Sequence, residues 1–286
     1  VTQAVPLAHE ATAGPVDELV AFLADRPLVV LTGAGLSTDS GIPDYRGPGA
    51  PDRRPMTYQE FLSGPAAQRR YWARSHLGWA RMGRARPNAG HRALAALDPD
   101  LLITQNVDGL HEAAGSRRVV ALHGRVADVV CLGCRRTTSR AALQERLDLL
   151  NADWTRRHAD VAMRPDGDVA LEETRDFVAP ACDDCGGLLK PDVVFFGENV
   201  PATRVQRCYD AVDALPDSGG ALLVAGSSLT VMSGLRFVKR AWRAGTPVAI
   251  VNRGATRGDA LAAYKLETGC SEFLGALRDA RSRLAV

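Results

Sequence analysis

Two Cys-x-x-Cys pairs, Cys131/Cys134 and Cys182/Cys185, limit what this chain can fold into more than any other feature. Each pair lets two thiolates from one tight turn reach adjacent corners of a tetrahedron, and a second pair completes it. Small residues accompany both turns, Cys131-Leu132-Gly133-Cys134 and Cys182-Asp183-Asp184-Cys185-Gly186-Gly187, and glycine supplies the positive φ that such knuckles use. Four sulfur ligands leave no open position, so the pattern predicts one structural Zn2+ rather than a catalytic one. A redox dithiol or an iron–sulfur centre would draw on the same thiols. The pairs stand further apart than in a zinc ribbon, so the residues between them must loop out. Cys208 and Cys270 are left over and read as small buried apolar residues.

Upstream, Leu31-Thr32-Gly33-Ala34-Gly35-Leu36-Ser37 reads as a strand running into a helix, the arrangement that brings backbone N–H groups to a pyrophosphate. Ser37 stands where the usual dinucleotide fingerprint has its third glycine. No acidic residue ends a second strand to hold a ribose, which disfavours a hydride-transfer enzyme. The polar, glycine-punctuated stretch 38–47 reads as a loop that closes over a ligand.

Continuous apolar runs at 28–31, 101–104, 119–122, 193–196, 222–225 and 248–251 predict parallel strands covered on both faces. Helical segments are expected at 16–24, 88–97 with Asn88 as N-cap, 235–244 and 271–283. The fold class expected is α/β, a Rossmann-like doubly wound parallel sheet with a smaller domain made of a helical insert and a structural zinc-binding module. The large domain would comprise 15–48, 87–125 and 190–286. The small one would comprise the insert 49–86, with its Thr57-x-x-Glu60 capping box and aromatic residues, and the cysteine-bearing 126–189. Within the latter, 153–176 reads as a polar surface excursion.

With 286 residues, 46% of them hydrophobic, the chain can bury a large core. A formal charge of +2 argues against nucleic acid as the main partner. No apolar run approaches the roughly 20 residues of a membrane span, and the first residues lack the pattern of a secretion signal. A cytoplasmic protein with no membrane partner, monomeric by default, is the expectation.

The strands deliver polar groups at their carboxyl ends: Gln105-Asn106-Val107-Asp108-Gly109-Leu110-His111, His123-Gly124-Arg125, Gly226-Ser227-Ser228 and Asn252-Arg253-Gly254. Each alone reads as a capped strand end. Together with the glycine-rich turn they predict one ligand site across the sheet edge. Ser227, Ser228 and Asn252 are neutral, as suits the ribose hydroxyls of an unphosphorylated dinucleotide.

In this order the motifs resemble those of the sirtuins, NAD-dependent protein lysine deacylases. The resemblance rests on Gly33 to Ser37, Pro43-Asp44-Tyr45-Arg46, Gln105 to Asp108, His123-Gly124, both cysteine pairs, Lys190-Pro191-Asp192-Val193-Val194-Phe195-Phe196-Gly197-Glu198 and Gly226-Ser227-Ser228. Tyr45, Val107 and the long gap between cysteine pairs make it similar to a bacterial member of the branch that contains a weakly deacetylating mitochondrial sirtuin.

The resemblance implies a reaction that gives nicotinamide, free lysine and O-acyl-ADP-ribose, with NAD as co-substrate and acylated lysine in proteins or peptides as partner. It implies that Ile42 and Asp108 line the nicotinamide pocket, that Asn106 sits near the ribose, and that Asp44, Tyr45 and Arg46 belong to the closing loop. Gly33, Ala34, Gly35, Thr38, Gln105, Val107, Gly226, Ser227, Ser228, Asn252, Arg253, Gly254 and Cys270 would complete the NAD site. His123 is the expected general base, since an imidazole titrating near neutrality suits removal of a ribose proton; a capping histidine is the plainer reading. His91 and His111 read as structural.

Val194, Phe196, Gly197 and Glu198 would border the substrate peptide and its acyl tunnel. Tyr71 and Arg74, at i and i+3 on a helix, resemble a pair that binds acidic acyl groups, and also fit an aromatic core residue beside a solvated arginine. Mono-ADP-ribosyl transfer from the same pocket, or a non-catalytic NAD or ADP-ribose sensor, are the competing functions.

Overall fold

Apolar runs that must be covered on both faces become the middle of a parallel sheet. In the computed structural model, which describes residues 14–44, 55–82, 85–158 and 174–284, the strands are β1 (Leu28–Thr32), β2 (Leu101–Thr104), β3 (Val119–Ala121), β4 (Gly124–Cys131), β5 (Thr137–Ser139), β6 (Leu189–Val193), β7 (Ala221–Ala225), β8 (Val248–Val251) and β9 (Tyr264–Leu266). Six of them form one sheet in the order β3-β2-β1-β7-β8-β9, every neighbour parallel. The order reverses between β1 and β7, which opens a crevice at their carboxyl ends.

The helices are α1 (Pro15–Ala24), α2 (Ala34–Ser37), α3 (Tyr58–Leu62), α4 (Pro65–Met82), α5 (Ala89–Leu97), α6 (Leu110–Ala113), α7 (Arg140–Leu150), α8 (Ala152–Arg157), α9 (Ala202–Asp213), α10 (Leu215–Ser218), α11 (Met232–Arg243) and α12 (Cys270–Leu284). Alternate strand residues go to opposite faces. Leu28, Val30, Leu102 and Leu223 pack under α1, α5 and α12, whereas Val29, Leu31, Ile103 and Leu222 pack under α9 and α11. Each fully buried aliphatic side chain in these layers contributes about 1.5–3 kcal/mol relative to exposure.

The second sheet is antiparallel, in the order β5-β4-β6. Here the structure corrects the sequence reading. The strand expected at 193–196 lies instead at Leu189–Val193, and it pairs with β4 rather than with the parallel sheet. Pro191 is the physical reason: lacking an N–H, it cannot sit in a central strand, and β6 is an edge. Residues 194–198 then leave the strand through a turn with Gly197 at φ +80°.

Around this sheet the helical insert and the cysteine module share one core of Trp72, Ala73, Val129, Leu143, Leu147 and Leu189. Thr57 and Glu60 form the expected capping box at α3. Of the span 153–176, residues 159–173 lie outside the described residues; at its start Trp154 is 3% exposed and packs edge-on against Phe177 at 4.8 Å, inside the same core. Arg140, 1% exposed, lies over the rings of Trp72 and Trp79 at 5.4 and 4.6 Å, an interior cation faced by two indoles.

Candidate active site

Three glycines let β1 and β7 interlock at the crevice. The Gly33 N–H donates to the Ala225 carbonyl at 3.2 Å and the Gly35 N–H to that of Gly226 at 2.9 Å. A Cβ on Gly33 would stand 2.7 Å from the Gly226 oxygen, and one on Gly226, at φ +68°, would stand 2.4 Å from the Leu36 nitrogen. Side chains are thus excluded where the turn after β1 and the turn after β7 come together. Thr38 is exposed and turns its hydroxyl onto the Gly35 carbonyl at 3.0 Å.

Ser37, buried behind this turn, gathers the next strand end. Asn106 donates its side-chain amide to the Gly33 carbonyl and to Ser37 Oγ, both at 3.0 Å. Ser37 donates in turn to Asp108 Oδ2 at 2.8 Å, and Asp108 Oδ1 accepts the Leu110 N–H at 2.9 Å. The Ser37 carbonyl accepts Ile42 N–H at 3.3 Å, so Ile42 and Asp108 both hang from one serine. Ser37 was not among the expected site residues, although its departure from the glycine fingerprint was the signal available. The Val107 carbonyl accepts Val126 N–H at 2.9 Å, tying the loop after β2 to β4. Asp44 ends the described part of the loop; Tyr45 and Arg46 lie outside the described residues.

His123 is held at both ring nitrogens. Nδ1 lies 2.9 Å from the Gln105 carbonyl, which can only accept, so Nδ1 carries the proton. In the neutral ring Nε2 is then the bare nitrogen, and the Ser233 hydroxyl donates to it at 2.8 Å. Burial pushes the imidazole below its ordinary pKa, a trend aided by the Arg204 guanidinium and opposed by the Gln105 carbonyl. The ring is therefore a neutral base at pH 7. Gly124, at φ +80°, makes this placement possible: a Cβ there would sit 1.8 Å from the Asp192 carbonyl oxygen. Behind it, Val194 N–H donates to the His123 carbonyl at 2.8 Å.

Gln105 also joins the two halves of the crevice, for Ser227 donates to its Oε1 at 2.6 Å. Ser228 pairs with Thr230 at 3.0 Å. Asn252 is buried and donates to the carbonyls of Arg253 and Gly254 at 2.9 and 3.1 Å, closing the loop after β8. Cys270 is buried at the start of α12 and its thiol, pushed up to about 12 chiefly by burial, faces the Val251 carbonyl at 3.7 Å. It is no nucleophile. Cys208 is fully buried in the sheet core, as expected of a small apolar residue.

His91 and His111 are buried with ring centroids 4.8 Å apart, and His111 Nε2 is hydrogen-bonded with Thr32 Oγ1 at 2.9 Å. Burial, with His91 adding to it, pushes His111 down to about 3. Both act as structural residues beneath the crevice.

On the far side, Val194 is half-buried, Phe195 buried, and Phe196 exposed with its carbonyl accepting Tyr58 N–H at 2.9 Å. Gly197 borders the Gln59 side chain. Glu198 turns inward, 3.0 Å from the buried Lys190 ammonium, and accepts Phe195 N–H at 2.9 Å. Tyr71 reaches this segment: its ring lies 5.3 Å from that of Phe195 and 5.5 Å from that of Phe61. Arg74 follows on the same helix, half-buried.

The four Sγ atoms of Cys131, Cys134, Cys182 and Cys185 lie within 4.8 Å of one another. Cys131 and Cys185 are 3.5 Å apart and Cys134 and Cys182 3.9 Å, against about 3.8 Å for the edge of a Zn–S tetrahedron. A Cβ on Gly187 would stand 2.9 Å from Cys131 Sγ, so the knuckle is shaped around the sulfurs. The set fits a structural zinc. Among the described residues, no helix is long and apolar enough to cross a membrane.

The Sir2 family model matches residues 33–233. NAD-dependent protein deacetylase 1 of Mycobacterium avium (strain 104) is 55% identical over 274 residues, covering 93% of this chain and 96% of its own length. NAD-dependent protein deacetylase 1 of Streptomyces coelicolor (strain ATCC BAA-471 / A3(2) / M145) is 57% identical over 247 residues, 84% of this chain and 81% of its own. A solved structure described as Sir2-p53 peptide-NAD+ is similar with a TM-score of 0.69 at 29% identity, covering 92% of this chain and 97% of that one.

Proposed function

This chain belongs to the Sir2 family, and on that premise we propose that it is an NAD-dependent protein lysine deacylase releasing nicotinamide, deacylated lysine and O-acyl-ADP-ribose. The observation that carries the reading is the two-sided grip on His123, which leaves a neutral imidazole with its base at Nε2. In this reading Nε2 takes the proton of a ribose hydroxyl, so the ribose oxygen can attack the acyl-bearing carbon. The named activity of the relatives and the NAD+ and peptide of the solved neighbour support it.

The Gly33-Ala34-Gly35 backbone faces the diphosphate. Asp108 and Ile42 receive the nicotinamide, and Asn106 orients the ribose. Thr38, Asp44 and, outside the described residues, Tyr45 and Arg46 close the near side. Gly226, Ser227, Ser228, Asn252, Arg253, Gly254 and the Cys270 backbone take the adenosine half, while Gln105 and Val107 set the floor. The peptide lies along Val194, Phe196 and Gly197, in a turn that Glu198 and Lys190 brace from inside. A cytoplasmic, monomeric enzyme completes the reading, and fractionation and sedimentation test these two points.

The central test is nicotinamide release from NAD by the purified protein, with a panel of acetyl-, succinyl-, glutaryl- and long-acyl-lysine peptides, beside His123→Ala. Peptide-dependent release with O-acyl-ADP-ribose formation, abolished in the variant, is expected. Release without peptide, accompanied by ADP-ribose attached to protein, would replace this reading with ADP-ribosyl transfer. Binding of NAD without any release would make the chain a sensor.

A further inference from the structure

Ser233 is the second residue of α11, and its hydroxyl caps no backbone group of that helix; its recorded hydrogen bond is to His123 Nε2, 110 residues away in the chain. We infer that Ser233 is a positioning residue for His123: with the Gln105 carbonyl on Nδ1, it fixes the plane and tautomer of the imidazole and shields Nε2 from water until a substrate hydroxyl arrives.

The neighbouring residue shows that this contact is built in. Gly234 is buried, and a Cβ on it would stand 2.7 Å from the Gln105 side-chain nitrogen. The first turn of α11 is therefore seated directly on Gln105, the residue whose carbonyl holds Nδ1. Ser233, Gly234, Gln105 and His123 close a ring in which each ring nitrogen has one partner and the imidazole cannot rotate without losing both. Because Ser227 donates to Gln105, the same ring is tied to the loop after β7.

The surrounding charges favour the neutral imidazole. The ring touches Ser233 in the first turn of a 12-residue helix, the end at which the helix dipole disfavours a positive charge. From α9, the Arg204 guanidinium disfavours a second positive charge. Arg204 is itself paired with Asp192 of β6 at 2.6 Å, which tempers its field. Ser233 is only half-buried, so a hydroxyl entering from the crevice can take its place at Nε2. In that step the ribose O–H bond breaks and an Nε2–H bond forms. Ser233 neither gains nor loses a proton.

The role in turnover rests on the deacylase reading, whereas the effect on the ring does not, and the experiment separates them. The six histidines are labelled with 15N, His123 is assigned with His123→Ala, and the ring is titrated by NMR in wild type, Ser233→Ala and Ser233→Thr. The alanine variant admits water to Nε2, so its midpoint should rise by about half a pH unit or more, and its tautomer signals should average. With a peptide that turns over, its kcat should fall about tenfold, with a much smaller change in KM. The acid limb of its pH profile should move up with the midpoint. Threonine, which keeps the hydroxyl, should restore both ring and rate. Identical titration and tautomer signals in wild type and Ser233→Ala would overturn the inference. Absence of turnover with every peptide, beside a shifted titration, would count against the deacylase reading and leave the positioning of the ring standing.

Discussion

Ser37 donates to Asp108 at 2.8 Å while accepting the Asn106 amide at 3.0 Å, so one buried hydroxyl joins the turn after β1 to the loop after β2. A glycine at that position, as a hydride-transfer fingerprint would have it, would leave both polar side chains short of a partner. The serine thus marks a crevice built to hold an amide and a carboxylate rather than only a diphosphate.

Removing that hydroxyl should be felt in both groups. Ser37→Ala is expected to cost about 1–2 kcal/mol of stability, since it strands two half-buried polar side chains at once. It should also raise the KM for NAD about tenfold. Urea unfolding and nicotinamide-release kinetics measure the two effects. Unaltered kinetics in a folded variant would mean that Asp108 and Asn106 are held by other contacts.

Acid should destabilise the fold through His111. Its folded-state pKa is pushed down to about 3, chiefly by burial, whereas the unfolded chain titrates near 6.5. Above that value neither state binds the proton and the full stability is present. As the pH falls below it, the unfolded chain takes up a proton that the folded one refuses, and stability drops by up to about 1.4 kcal/mol per pH unit, down to the folded pKa. Denaturant midpoints at pH 7.5 and 5.5 should therefore separate more in the wild type than in His111→Gln. Equal separations would show that His111 protonates without unfolding.

Metal removal should act on one part of the molecule. Cys131 and Cys182 are buried in the same core as Trp72 and Trp154, and three of the four tryptophans lie in the insert and the cysteine module. A strong chelator should release one equivalent of zinc and collapse that core, shifting tryptophan emission to the red. Most of the far-ultraviolet signal of the parallel sheet and its helices should persist. Cys182→Ser should reproduce the effect. Unchanged emission after complete metal loss would mean that the four thiols do not hold the core together.

Much of this was legible in the sequence because burial on both faces writes unbroken apolar runs, as in β1, β2, β7 and β8. The run at 193–196 misled for a physical reason: Val193 ends the edge strand that holds Pro191, and Val194, Phe195 and Phe196 serve a turn beside His123. The edge strand β9, three half-buried residues with a lysine at its centre, carries no such run. Helix α9 had the pattern, with Val205, Cys208, Tyr209 and Val212 at helical spacing, but it went unread behind Pro201. Ser233 had no signal: a serine in the first turn of a helix looks like any other, and its contact crosses the fold.

We propose that the acyl preference turns on Tyr71 and Arg74. The Tyr71 ring meets Phe195 between the two residues read as the tunnel wall, Val194 and Phe196, and Arg74 stands one turn further along α4. Residues at i and i+3 on a helix share a face, so a chain long enough to pass Tyr71 would present its end to the guanidinium. A carboxylate there gains a charge-assisted pair, and an acetyl group gains nothing. The expectation is a kcat/KM ratio of succinyl or glutaryl over acetyl peptide that falls about tenfold or more in Arg74→Met. Tyr71→Phe, which keeps the ring and removes the hydroxyl, should lower the ratio by less. Competition between the two peptides in one reaction measures that ratio free of errors in enzyme concentration. A ratio unmoved by Arg74→Met would make this arginine a solvated neighbour of an aromatic core and would place acyl selection elsewhere along the crevice.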